Sequence, residues 1–414
     1  MKILLIHQAF LEKNDGGGSR FNEMTKTWSE KGHHITVLGG MVHYTSGVKH
    51  EKYKKKITYY DKEFYENVDV IRCHVSESYN VSFIGRLWAY FSFVFSSIYA
   101  GLFKTKEKYD IILVTSPPLF VGITAYVLSK LKRIPFVFEI RDLWPESAID
   151  TGILKNKLII KLAYYFEAFL YKKALLINVL TPAFKEKLIS DKSVPEEKIV
   201  FIPNAADFSL SEKIQESFDE KKFKKELGFE NKFVITYVGA HGVANHLIQL
   251  IEAAEYLRET DVVFQLIGSG MEKKMLQKEV VNRGLSSLVF FRNPVPKSEV
   301  FKYILSSNMG ASVLKRVNTF KTIYSNKTFD YMSCKKPVLL AIEGVSKDLI
   351  EEAKCGLCVE PEHAKDIAKK ILDYKESFEL HQIQGRNGYE YAKLNFDREK
   401  LAVQYLDYIK KTIR

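Results

Sequence analysis

The sequence predicts an α/β protein built from two doubly wound domains, each a parallel sheet covered by helices. Three observations carry that expectation. Short, β-branched apolar runs alternate with helical stretches along nearly the whole chain, as in a sheet buried on both faces. The alternation is interrupted once, over residues 208–231, where Ser, Glu and Lys dominate and apolar spacing is poor. At 414 residues the chain also exceeds what one ordinary core organises. The expected division is residues 1–205, residues 206–395, and a last helix within 396–414 that crosses back onto the first domain.

In the first domain, strands are expected at 2–7, 34–38, 68–74, 110–115, 136–140, 174–180 and 198–203. Helices at 20–31, 120–131 and 155–171 lie among their connections. Residues 208–231 read as linker with an exposed helix. The second domain restarts with strands at 233–238, 262–267, 288–291, 309–314, 338–342 and 357–359. Its helices fall at 247–258, 272–283, 297–305 and 364–374, and the final helix at 398–412. Doubly wound sheets bind ligands beyond the carboxyl ends of their strands, so two facing domains predict a cleft between those ends.

Composition narrows the class. Hydrophobic content of 46% with 27% charged residues excludes a disordered chain. The four cysteines make no disulfide framework and suit a reducing cytoplasm; Cys355 and Cys358 form a C-x-x-C with no second pair, which does not make a metal site. The opening MKILLIHQAF reads as a strand, not as a signal peptide. Net charge is +12, and residues 1–204 hold 29 basic against 21 acidic residues, or +8 of it. Such an excess favours an anionic partner, either nucleic acid or an anionic membrane surface, with plain solubility as the alternative; no nucleic-acid motif accompanies it. Residues 81–103 fit a membrane surface. Between Arg86 and Lys104 lie 17 uncharged residues rich in Phe, Tyr and Trp, short for a span; they read as a buried helix or as one whose aromatic face dips into a bilayer.

The chemistry concentrates in loops that follow strands. GGGSR (16–20) sits between a strand and a helix, where Gly17 and Gly18 let backbone approach a phosphate or sugar and Ser19 caps the helix. It is not G-x-G-x-x-G, so a dinucleotide fingerprint is excluded. EIRDLWPES (139–147) brings Glu139, Arg141 and Asp142 to a strand end. Asp142 is the candidate to orient an acceptor hydroxyl or take its proton, with Glu139 second; an ion pair within the loop is the structural alternative. In the second domain, GAHG (239–242) offers Gly239, His241 and Gly242 to a ligand, and Arg292 of RNP is a wall for a base.

Residues 312–344 organise the rest. Ser325 and Asn326 open a short helix expected to run to about residue 334, and its start presents unpaired N–H groups and a positive dipole end. Lys315, Arg316, Lys321 and Lys327 add formal positive charge there, and Asp330 lies one turn on, placed for ribose hydroxyls. This stretch therefore reads as the seat of the diphosphate and ribose of a nucleotide-sugar.

Taken together, GGGSR, SPP, EIRDLWPES, IPNAAD, YVGAHG, IGSG and NKTFDYMSCKKPV resemble, in their order, the GT-B-fold glycosyltransferases of family 4. The likeness is to bacterial O-antigen and capsule enzymes, especially those transferring N-acetyl-fucosamine. The resemblance implies a retaining, metal-independent transferase without a cofactor. It further implies a UDP-sugar donor on the second domain and a polyprenyl-diphosphate-linked saccharide acceptor on the first, at the cytoplasmic face of the membrane. The family's E-x7-E motif falls on Thr322 and Asp330, so the first carboxylate is replaced. The Arg and Lys that many members carry after the first glycine loop are also absent, with His241 and Asn245 there instead; Lys327 and Lys315 are the substitutes. Two rival readings are a UDP-sugar epimerase of the same fold and a non-catalytic basic protein that binds membrane or nucleic acid.

Overall fold

The computed structural model describes residues 1–413 apart from 14, 16–19, 43–46, 81–82, 106 and 151, and apart from the side chains of Glu63, Tyr79, Asn80 and Phe83. The chain divides into two compact units. Unit 1 contains Met1–Lys13, Ser19–Pro203 and Glu399–Arg414; unit 2 contains Asn14–Gly18 and Asn204–Arg398.

Unit 1 is an eight-stranded sheet with β1 (Lys2–His7), β2 (His34–Gly40), β3 (Thr58–Tyr65), β4 (Val68–Cys73), β5 (Ile111–Ser116), β6 (Phe136–Ile140), β7 (Leu176–Val179) and β8 (Ile199–Phe201). Their order is β3-β4-β2-β1-β5-β6-β7-β8, and every pairing is parallel except β3 on β4. All six residues of β5 are buried, as expected of a central strand covered on both faces. The helices are α1 (Arg20–Glu30), α2 (Phe83–Phe103), α3 (Val121–Lys132), α4 (Glu146–Asp150), α5 (Lys157–Lys173) and α6 (Pro182–Ser190). Local chemistry sets several of their ends. Asn156 caps α5 by accepting from the Leu158 and Ile159 amides, and Thr181 caps α6, which opens on Pro182. The strand β3 was not foreseen. Its sequence, TYYDKEFY, mixes charged and aromatic residues without an apolar run, as suits an edge strand that pairs with β4 alone.

Unit 2 is a six-stranded, wholly parallel sheet with β9 (Phe233–Val238), β10 (Val262–Ile267), β11 (Val289–Arg292), β12 (Met309–Val313), β13 (Val338–Ala341) and β14 (Gly356–Cys358). The order is β11-β10-β9-β12-β13-β14, so the winding reverses between β9 and β12. Its helices are α7 (Phe208–Gln215), α8 (Glu220–Glu226), α9 (Ile248–Glu255), α10 (Lys273–Asn282), α11 (Lys297–Leu305), α12 (Asn326–Ser333), α13 (Val345–Ala353), α14 (Ala364–Lys375) and α15 (Phe378–Asn395). One core contains Ile235, Leu250, Leu266 and Ile371, a second contains Phe301, Phe329, Tyr331 and Leu340, and a small third contains Phe229, Val234 and Val263.

The last helix, α16 (Arg398–Ile413), lies almost wholly in unit 1. There the indole Nε1 of Trp28 donates to the Ala402 carbonyl at 2.8 Å, and Tyr405 meets the Trp28 ring edge-on at 6.1 Å.

Residues 208–231 form two short helices and not an open linker. Asp207 caps α7 by accepting from the Leu210 amide at 3.2 Å and from Lys297 Nζ at 3.0 Å, and Phe208 is buried. Helix α15 was also unforeseen: its polar run contains two glycines, ordinarily poor helix formers. Packing explains one of them. A Cβ at Gly385 would stand 2.1 Å from the Lys335 carbonyl oxygen, so only glycine lets α15 approach that closely.

Candidate functional site

In unit 2 the winding reversal between β9 and β12 fixes where a ligand crevice opens, beyond the carboxyl ends of those strands. Four loops meet there: Gly239–Gly242 after β9, Gly268–Gly270 after β10, the segment from Lys315 after β12, and the start of α12. The Lys315 amide donates to the Ala244 carbonyl at 2.8 Å, and the His241 amide to the Ser269 carbonyl at 2.8 Å, stitching the loops together. Gly239 and Gly268 have φ of +150° and +148°, which favours glycine. A Cβ on Gly268 would lie 1.9 Å from the Gly239 carbonyl oxygen. Gly268→Ala is therefore expected to destabilise the protein by roughly 1–3 kcal/mol or more, read as a lowered urea midpoint. An unchanged midpoint would contradict this packing. Gly242 differs, since a Cβ there meets nothing within 4 Å.

The start of α12 is built as expected, with Ser325 as N-cap, but the capping contact is different. The Ser325 side chain accepts from no backbone amide of the helix. Its Oγ accepts from Ser312 Oγ at 2.8 Å and from Lys327 Nζ at 3.2 Å. Lys327 is half-buried: its ammonium lies 5.1 Å from the Tyr237 ring centroid, and its Cε is 3.2 Å from where a Gly239 Cβ would be. Burial pushes the Lys327 pKa down to about 8, against the opposing pull of the Asp330 carboxylate. A lysine near the neutral range, at a helix start and beside a glycine turn, is equipped to meet a phosphate. Asp330 is half-buried on the same helix, and Asn326 is exposed at its first position.

The expected ring of cations is smaller than the sequence suggested. Arg316 is held by Glu343 and Glu360, each at 3.1 Å, and Lys321 by Glu343 at 3.1 Å. Both are neutralised by carboxylates of the β13 and β14 loops, partners too distant in sequence to anticipate. Lys315 remains exposed at the strand end. Thr322 closes a short 3-10 turn (Asn318–Thr322), its hydroxyl donating to the Thr319 carbonyl at 2.7 Å. The Arg292 side chain, expected to wall a base, is engaged elsewhere. Its Nε donates to Gln265 at 2.6 Å, and its guanidinium lies 5.9 Å from the Phe229 ring and 5.3 Å from the Tyr303 ring. The group from this residue at the strand end is its carbonyl, which accepts from Lys273 Nζ at 2.8 Å.

His241 is completely buried, and neither ring nitrogen has a partner among the described residues. Its ring meets Phe291 edge-on at 5.8 Å, and burial, helped by Lys273, pushes its pKa down to about 4. It is a neutral imidazole with its hydrogen-bonding capacity unused.

Unit 1 has its own cluster beyond β1, β5 and β6. The Arg141 amide donates to the Ser116 carbonyl at 2.9 Å, which joins the loop after β6 to the end of β5. Asp142 is half-buried and accepts from Ser147 Oγ at 2.7 Å. Burial raises its pKa to about 6, against the hydrogen bonds from Ser147 and the Leu143 amide. A carboxyl that titrates near neutrality suits a base or an orienting acceptor. His7, at the end of β1, carried no motif. It is 2% exposed, its Nδ1 has no partner among the described residues, and burial followed by the Arg141 charge lowers its pKa. The only hint in the sequence was a polar residue closing an apolar strand.

Glu139 does not reach the strand-end surface. It is completely buried, 3.2 Å from Arg20 Nε, and accepts from Asn178 Nδ2 at 2.9 Å. Arg20 also donates to the Ile202 and Pro203 carbonyls, so this cluster ties α1, β6, β7 and the end of the unit together. Its role is structural, because a reactant cannot reach a carboxylate enclosed this way. Glu139→Ala leaves the Arg20 charge buried without its carboxylate, and is expected to cost about 3–5 kcal/mol in urea unfolding. Wild-type stability in that variant would overturn the assignment. Gly17, Gly18 and Ser19 lie outside the described residues.

Comparisons with known proteins place these features in context. Residues 15–205 match the model of the glycosyl transferase 4-like domain, and residues 218–391 that of glycosyl transferases group 1. A putative colanic acid biosynthesis glycosyl transferase, WcaI of Escherichia coli K12, is 24% identical over 99% of this chain and 100% of its own length. Among solved structures, Anabaena HepE in complex with UDP-glucose is 18% identical with a TM-score of 0.71, covering 99% of this chain and 100% of that one. Sucrose-phosphate synthase of Thermosynechococcus elongatus is 14% identical with a TM-score of 0.74, covering 99% and 98%. These likenesses show the same fold.

Proposed function

Because the chain belongs to the GT-B glycosyltransferases of family 4, we propose that it moves a sugar from a UDP-sugar to a lipid-linked saccharide during bacterial surface-polysaccharide synthesis. The observation that carries this reading is Lys327: a half-buried ammonium at the start of α12, against Gly239, at the winding reversal of unit 2. The UDP and UDP-glucose complexes of Anabaena HepE support the choice of nucleotide.

In this mechanism the diphosphate sits on the free N–H groups of α12 with the Lys327 ammonium beside it, and Lys315 adds charge from the β12 loop. The ribose hydroxyls bind Asp330. As the glycosidic bond lengthens, negative charge grows on the diphosphate, and Lys327 with the helix dipole stabilises it. The charge on the leaving group is met by cationic protein groups, and metal independence is proposed on the family resemblance. The acceptor belongs to unit 1, where Asp142 orients its hydroxyl. That hydroxyl attacks on the face the diphosphate leaves: its oxygen bonds to the anomeric carbon as the bond to the diphosphate breaks, its proton passes to the departing diphosphate oxygen, and configuration at the sugar is retained. N-acetyl-fucosamine is the proposed sugar, and a polyprenyl diphosphate carries the acceptor at the inner membrane surface.

A thermal-shift series of UDP-, GDP- and dTDP-sugars tests the donor. A ligand that binds only the folded state raises the melting temperature, by a free energy of about 2.7 kcal/mol at a hundredfold excess over Kd. UDP-sugars are expected to give the largest rise, and a rise with GDP-sugars alone contradicts the reading. Incubation with donor alone separates an epimerase, which would release a new UDP-sugar without acceptor.

A further inference from the structure

The helix α2 has two unlike faces. Its inner side buries Ala89, Ser92, Phe93, Ser96, Ser97 and Ala100, with Ser97 Oγ 2.9 Å from Thr124 of α3. Its outer side carries Ile84, Trp88, Phe95, Tyr99 and Phe103 in one stripe at helical spacing, and Trp88 is 56% exposed. Helix α5 repeats the arrangement. Ala163, Glu167, Leu170 and Tyr171 face inward, whereas Leu158, Leu162 and Tyr165 project into solvent, Leu162 being 59% and Tyr165 75% exposed. No helix among the described residues is long and apolar enough to cross a membrane.

Phe120, at the start of α3, joins the two helices. Its ring lies 5.0 Å from Phe91 of α2 and stacks at 6.3 Å on Phe166 of α5. Lysines border the aromatic surface: Lys104 lies 5.6 Å from the Tyr99 ring, Lys130 5.9 Å from Tyr126, and Lys173 5.9 Å from Phe169. Tyr126 and Phe169 touch edge to face at 4.9 Å. Helix α2 has no acidic residue, and the one acid of α5, Glu167, is buried between Lys192 and Tyr171.

We propose that the outer faces of α2 and α5 form one docking surface that seats unit 1 on an anionic phospholipid bilayer. Aromatic and aliphatic side chains enter the headgroup boundary, while the bordering lysines meet lipid phosphates. The occupant follows from charge: a rim of cations without an exposed acid on either helix complements an anionic surface. This rests on the reading that the acceptor is lipid-linked, and it adds a second helix and a defined face to that contact.

Vesicle flotation of the full chain tests it, with phosphatidylglycerol-containing and pure phosphatidylcholine vesicles and with Trp88 as a fluorescent reporter. The wild type is expected to partition onto the anionic vesicles, with Trp88 emission shifted to the blue and binding weakened by salt. The double variants Leu162→Glu/Tyr165→Glu and Phe95→Glu/Tyr99→Glu are each expected to lower partitioning by roughly tenfold or more. All four positions are exposed, so melting temperature and the UDP-induced thermal shift should stay as in the wild type. Wild-type partitioning in the α5 variant overturns the two-helix face, and so does a wild type that ignores anionic vesicles. A solution dimer that the same substitutions dissociate would assign the face to a second copy of the chain and also overturn the proposal. None of these results touches donor binding in unit 2, which fails only if UDP gives no thermal shift.

Discussion

Lys327→Ala is expected to lower kcat on the order of 10²-fold, the scale of removing one preorganised charge donor from a developing anion. The side chain is well suited to produce such an effect. It is held by Ser325 Oγ at 3.2 Å and lies over Tyr237, so its ammonium is positioned before a ligand arrives. Its pKa of about 8 gives a second readout. The ammonium form exists below that pH and is lost above it, so kcat/KM for the donor should fall as pH rises through about 8. Lys327→Arg stays charged across this range and should abolish that limb, even if the longer guanidinium lowers the plateau. A Lys327→Ala enzyme with unchanged turnover removes the residue from the mechanism.

The second large effect is expected at Asp142, where Asn should reduce kcat/KM on the order of 10²-fold, the lower end of what general acid–base groups contribute. Burial raises this carboxyl to about pH 6. The carboxylate is therefore present above that pH and lost below it, so the wild type should show an acid limb near pH 6. Asp142→Asn should flatten the limb along with the rate. A variant that keeps both the limb and the rate assigns Asp142 to loop structure through Ser147 alone.

What the sequence disclosed and what it concealed divide along a physical line. The central strands β1, β5, β9 and β10 were legible because burial on both faces forces continuous apolar runs. The start of α12 was legible because Ser and Asn before a helix, followed by a Lys-Lys-Pro stop, are local signals. The edge strand β3 was not, since it mixes charged and aromatic residues and has no apolar run. Long-range charge pairing was equally hidden: nothing local indicates that Arg20 closes on Glu139, 119 positions away, or that Arg316 meets Glu343 and Glu360. Candidate roles based on formal charge therefore failed where a distant partner neutralised the group. Lys327 has its nearest partners close by, at Ser325 beside its own helix and Tyr237 of the adjoining strand.

The buried histidines show another limit of sequence patterns. His7 and His241 each close an apolar strand region, each is enclosed, and each has unused hydrogen-bonding nitrogen. A histidine in such surroundings is indistinguishable in sequence from one with a backbone partner, such as His381, whose Nε2 lies 2.8 Å from the Tyr374 carbonyl.

The central claim is tested most directly by a crystal structure of the protein with UDP. The diphosphate oxygens are expected within hydrogen-bonding distance of the first N–H groups of α12, at Asn326 and Lys327, and of Lys327 Nζ, with the ribose at Asp330. A diphosphate seated away from the start of α12 would contradict it.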